Sequence, residues 1–139
     1  MNKYLQLILA LFGAMVCIFV AIQFSGAQDQ MWPTPGLYLV EIALLGSFCL
    51  ASLAVDTQAA RMVPWGISGI LLTFVILGGF SVGTPLRPAL LAFLAVAVLR
   101  SQGTSASPWR GPAIGLAAAL LQAAVMFAII LFLEPNVQW

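Results

Sequence analysis

The chain has 139 residues, of which 63% are hydrophobic and 6% are charged, and its net charge is +1 at pH 7. Soluble domains carry charges on roughly a quarter of their residues, so this composition excludes an ordinary soluble globular domain. The low net charge also excludes nucleic acid as a partner, because phosphates are neutralised by clustered lysines and arginines. We therefore expect a lipid bilayer to surround the chain.

Apolar stretches separated by the charged residues predict a single all-α domain over residues 1–139, a polytopic membrane protein with five transmembrane helices. The predicted spans are 4–24, 35–55, 64–82, 85–99 and 112–133. The first span resembles a secretory signal, but it is long enough to cross a bilayer and we expect it to be retained. Prolines at Pro35 and Pro64 are expected to open the second and third helices, because a first-turn proline loses no helical hydrogen bond.

The fourth helix is predicted to be short, because its apolar part supplies about 14 residues, or about 21 Å, against a core of roughly 30 Å. A tight hairpin over residues 81–88, turned by Gly83 and Pro85, is expected to lead into it. The fifth helix is expected to stop at Glu134 and Pro135.

The distribution of basic residues predicts the orientation. If the fourth segment crosses the membrane, Lys3, Arg61, Arg100 and Arg110 all lie on one side, and only Arg87 lies on the other. Cytoplasmic loops carry the excess of lysine and arginine. This pattern favours five crossings, a cytoplasmic N-terminus and an external C-terminus, in a cell membrane of the bacterial inner-membrane type.

Glu41 is the exceptional residue, because it is an acid well inside the second predicted helix, where an unpaired charge costs on the order of 2.5–3.5 kcal/mol. Arg87 enters the fourth helix from the same predicted side, so an intramembrane ion pair between Glu41 and Arg87 is the candidate compensation. Tyr38 lies one helical turn before Glu41, and Gln23 ends the first helix at this surface, so both are candidates for the same polar network. The pair is either a structural lock or a site that binds protons or cations.

Small residues recur every four positions in the fifth helix, at Gly111, Gly115, Ala119 and Ala123. Small residues let membrane helices approach closely, so they form a candidate helix-packing face. The face either packs within this chain or docks a second chain. Gln122, on the same helix, is expected to hydrogen-bond a neighbouring helix.

The sequence contains no histidine and no nucleotide-binding or acidic metal-binding motif, so we expect no catalytic residues, no metal and no cofactor. Cys17 and Cys49 lie in apolar segments and are expected to be packing residues without a disulfide. Whether a lipid, a quinone or a pigment binds between the helices stays an open question.

The leading functional hypothesis is a non-catalytic accessory or structural subunit of a larger energy-converting or transport complex in the membrane. The alternative is a small homo-oligomeric channel or transporter that uses Glu41 and Arg87. Expected partners are the bilayer and other membrane subunits, or further copies of the chain.

Cysteine labelling tests the predicted orientation. Asp29→Cys and Gln138→Cys are expected to react with an impermeant thiol reagent from outside the cell, whereas Thr104→Cys reacts only after permeabilisation. Labelling of Thr104→Cys in intact cells would contradict the five-crossing topology.

Overall fold

The computed structural model describes residues 2–26, 36–79, 82–102 and 107–133. The predicted features at Asp29, Pro35, Ser81 and Glu134 lie outside these residues. The described residues form five helices, and each is long and apolar enough to cross a membrane. They are α1 (Asn2–Ser25), α2 (Gly36–Leu53), α3 (Gln58–Leu77), α4 (Gly83–Ser101) and α5 (Arg110–Leu133).

Helices α1 to α4 form a ring in which α1 contacts α2 and α4, and α3 also contacts both of them. Helix α5 lies outside the ring and packs mainly against α3. Successive helices of the ring run in opposite directions. The start of α1, the start of α3 and the end of α4 meet at one end of the ring, where Lys3, Arg61 and Arg100 line one cavity. We call this the basic end. Its assignment to the cytoplasmic side stays a prediction.

Close contacts of small residues hold α1 in the ring. A Cβ atom at Gly46 of α2 would lie 2.9 Å from the Ala14 Cα, and one at Gly13 would enter the ring of Phe93 on α4. Cys17 and Cys49 are free thiols, and both are fully buried in the core. Such backbone proximity replaces the hydrophobic drive that membrane helices lack.

Helix α3 starts at Gln58 rather than at the predicted Pro64. The Thr57 side chain accepts a hydrogen bond of 3.2 Å from the Ala60 amide and so caps the helix. Pro64 therefore lies inside the helix, where it has no N–H to donate to the carbonyl four residues earlier, that of Ala60. The prediction placed the start at the proline because it overlooked the capping threonine.

Arg100 supplies the donor that Pro64 lacks. Its Nη1 donates to the Ala60 carbonyl at 3.0 Å and to the Ser52 carbonyl at 2.9 Å, and its Nη2 donates to the Val55 carbonyl at 3.0 Å. The Ser52 carbonyl belongs to the last turn of α2, where helical partners run out, and Val55 lies just after the helix ends at Leu53. One buried guanidinium thus joins α2, α3 and α4 and places its positive charge at the negative end of the α2 dipole.

Helix α4 is longer than predicted. It has 19 residues against 18 in α2, and its length of about 29 Å is sufficient to span a membrane. Gly83 and Pro85 belong to its first turn rather than to the predicted hairpin over residues 81–88. The Gly83 amide donates to the Gly78 carbonyl at 2.7 Å, so α4 begins beside the end of α3. At the other end the helix includes Arg100, which the prediction had placed in a loop.

Helix α5 rests on α3 through glycines. A Cβ at Gly69 would collide with the backbone carbonyl of Gly115, and one at Gly111 would collide with the indole of Trp65. One turn further, the Thr73 hydroxyl donates to the Ala119 carbonyl at 2.9 Å. The side of α5 that carries Gly111, Gly115 and Ala119 therefore faces α3 of the same chain.

Two glycines of α3 provide a matched test of this contact. Gly69→Ala is expected to destabilise the protein by about 1–3 kcal/mol, because the added methyl pushes α5 from α3. Gly66→Ala is the control, since a Cβ at Gly66 meets nothing within 4 Å. The measurement is the free energy of unfolding in mixed micelles. Equal effects of the two substitutions would contradict the close α3 and α5 contact.

Candidate functional site

Glu41 lies in the second turn of α2 and is half-buried. Its Oε2 accepts a hydrogen bond of 2.9 Å from Nε2 of Gln122, which is halfway along α5 and only 6% exposed. The bond joins a ring helix to the outer helix across the end of α3. The intramembrane acid therefore has a neutral amide donor as its partner.

Two further contacts of α3 lie close to this bond in the chain. The Tyr38 ring, one turn before Glu41, meets Phe74 of α3 edge to face, with centroids 5.9 Å apart. Thr73, next to Phe74, holds α5 through Ala119, one turn before Gln122. Aromatic packing and a hydroxyl bond on α3 thus hold α2 and α5 at the spacing that the amide requires.

A small cavity of about 160 Å³ is lined by residues that neighbour Glu41 on α2, namely Tyr38 and Ile42. Its lining is mainly apolar and includes Ile42, Phe74 and Met126, which lies one turn after Gln122. Apolar cavities of this kind do not hold ordered water well, since a bound water needs two or more polar partners. Tyr38 brings the one hydroxyl group to this lining, and neither Glu41 nor Gln122 lines the cavity.

Arg87 and Gln23, which were predicted for this site, form no hydrogen bond or ion pair with Glu41 among the described residues. Within the described part of the chain, Arg87 forms no ion pair or hydrogen bond; it is exposed near the start of α4. The ring explains the separation, because α2 and α4 are opposite each other with α1 and α3 between them. Gln23 is exposed at the end of α1 and makes no hydrogen bond to the described residues. Tyr38 does lie beside Glu41 on α2.

The predicted packing face on α5 is only partly accounted for by contacts with α3. Gly111 is buried, whereas Gly115, Ala119 and Ala123 are half-buried.

Sequence reasoning missed a comparable face on α1, which is fully buried. It is formed at helical spacing by Ala10, Gly13, Ala14 and Cys17. That spacing was visible in the sequence and could have been found.

The chemistry available to the described residues is narrow. They contain no group of three or more His, Cys, Asp or Glu side chains that could hold a metal ion. Glu41 is the one carboxylate within their helices, since Asp56 lies in the connection between α2 and α3. The Glu41 site can accept hydrogen bonds and a proton.

Comparison with family models, with curated proteins and with solved structures gave no match. The class of the protein therefore rests on its own helices. Five apolar helices, each long enough to span, are compatible with a multi-pass membrane protein.

Loss of the amide donor tests the site. Gln122→Leu is expected to lower the free energy of unfolding by about 1–2 kcal/mol, because the Glu41 carboxyl loses its partner inside the membrane. Glu41→Gln keeps an acceptor oxygen and is expected to cost less. The double variant Glu41→Leu with Gln122→Leu should lose less stability than the sum of its single variants.

Arg87→Gln is the control for this series, because Arg87 is exposed and forms no ion pair within the described residues. We expect it to leave the melting temperature in detergent unchanged in both the native and the Glu41→Gln backgrounds. The assigned bond would be contradicted if the stability losses of the Glu41 and Gln122 variants are additive while those of the Glu41 and Arg87 variants are coupled.

Proposed function

We propose that this chain is a non-catalytic subunit that assembles with a larger energy-converting or transport complex in the membrane. The observation that supports it is the position of α5. Only 6% of its apolar span is buried within the chain, against 44% for α3, and its attachment is confined mainly to one helix. A peripheral helix on a small closed ring offers a long surface for another membrane protein.

The polar groups also favour a structural role. Glu41 is engaged by Gln122, and Arg100 is engaged by backbone carbonyls, so both intramembrane charges are occupied by bonds that join helices. Proton pathways use chains of titratable groups. The described helices place Glu41 and Arg100 at opposite ends of the ring, without a further acid between them. These features suit a scaffold better than a transport path.

Native mass spectrometry of gently solubilised membranes tests the proposal. We expect the chain in a fixed ratio with a polypeptide of different sequence. A photo-crosslinking residue at Leu120 of α5 is expected to join that same polypeptide. The matched control is the same probe at Phe19 of α1, which is equally exposed, at 64% against 65%, and is expected to join lipid.

Two outcomes would contradict the proposal. Complexes that contain only copies of this chain would favour the homo-oligomeric alternative. Proton flux by the purified chain in liposomes that disappears in a folded Glu41→Gln variant would identify Glu41 as a transport site rather than a structural acceptor.

A further inference from the structure

A cavity of about 450 Å³ opens at the basic end, between the start of α1, the end of α2, the start of α3 and the end of α4. Three cationic side chains line it, those of Lys3, Arg61 and Arg100, and one carboxylate, that of Asp56. The formal charge of these four groups is positive. The cavity therefore favours an anion.

The Asp56 carboxylate does not cancel the whole positive charge of the cavity, because Arg61 already forms an ion pair with it. Arg61 donates from Nε at 3.0 Å and from Nη2 at 2.8 Å, and both bonds go to Oδ1 of Asp56. These bonds and the Arg61 charge hold the pKa of the Asp56 carboxyl below its usual range, so Asp56 is ionised at neutral pH. One cation is thus balanced, and the charges of Lys3 and Arg100 remain.

Arg100 has donors left for a ligand. Its described bonds use Nη1 and Nη2, whereas its Nε makes no hydrogen bond to the described residues. Its hydrogen-bond acceptors are neutral carbonyls and a hydroxyl, so its positive charge is not balanced. Lys3 is exposed, so its ammonium can turn toward the cavity without breaking a bond to the described residues.

The rest of the lining gives the cavity an apolar part. Leu7, Leu53 and Leu99 come from three different helices and share the cavity with the charged side chains. The cavity also lies where the helices end, which is the depth of lipid headgroups if the five helices span the bilayer. An amphiphilic ligand can satisfy both parts of this lining, whereas a free ion would leave the leucines exposed.

We infer that this cavity binds the phosphate group of an anionic phospholipid. Lys3 contacts the phosphate together with Nη1 of Arg61, the nitrogen that makes no bond to Asp56. The free donor of Arg100 extends the anion site, and the first part of an acyl chain packs on the leucines. Basic pockets between membrane helices bind anionic headgroups in this way, and each lysine or arginine near the surface contributes about fivefold in affinity. Inorganic phosphate is the competing source of the same chemistry.

Lipid titration followed by native mass spectrometry tests this inference on the full chain in neutral detergent. Phosphatidylglycerol is expected to bind more tightly than phosphatidylcholine. Lys3→Gln and Arg61→Gln are each expected to weaken phosphatidylglycerol binding about fivefold. Asp56→Asn is expected to strengthen it, because the competing carboxylate is removed and Arg61 is released.

Arg87→Gln is the matched control, since it removes the same charge at the opposite end and should leave binding unchanged. Inorganic phosphate at the same concentration should not displace the lipid. Equal binding of the two lipids, equal losses in Arg87→Gln and Arg61→Gln, or weaker binding in Asp56→Asn would overturn the site. If inorganic phosphate by itself displaces the lipid, the cavity binds the free ion, and the assignment to an anionic phospholipid is wrong.

Discussion

Backbone carbonyls at the basic end impose the constraint on which the structure depends. A helix leaves its last carbonyls without helical partners, an internal proline frees another, and a polar group that is buried without a partner costs free energy. Arg100 donates to the Ser52 carbonyl in the last turn of α2, to the Val55 carbonyl just after that helix, and to the Ala60 carbonyl in α3. Because the arginine belongs to α4, three helices of the ring are fixed to one another at a single point.

The opposite end is held by weaker bonds. There a single amide bond from Gln122 to Glu41 and a hydroxyl bond from Thr73 to Ala119 attach α5. Hydrogen bonds between membrane helices contribute about 0.6 kcal/mol on average and up to about 1.7 kcal/mol. Helix α5 is therefore attached mainly by glycine contacts with α3, which is consistent with the proposal that it meets a partner while the ring keeps its shape.

The sequence was sufficient to predict five helices, since long apolar runs and the position of charges determine spans in a bilayer. It also indicated the small residues of α5. It failed where a side chain distant in sequence changes a local preference. Thr57 marked the start of α3 in the sequence and was overlooked. In contrast, the bond from Arg100 to the Ala60 carbonyl joins residues 40 positions apart, and Arg87 suggested a partner for Glu41 only because the ring order was unknown. Neither of these long-range facts follows from periodicity or propensity.

A double-mutant cycle between Arg100 and Pro64 tests the central claim most directly. Arg100→Leu in the native background removes the donor for the Ala60 carbonyl, whereas Pro64→Ala restores a helical N–H to that carbonyl. The free energy of unfolding in mixed micelles is expected to fall less for Arg100→Leu in the Pro64→Ala background, by about 1 kcal/mol or more. The same loss in both backgrounds would contradict the claim that Arg100 replaces the hydrogen bond that the proline removes.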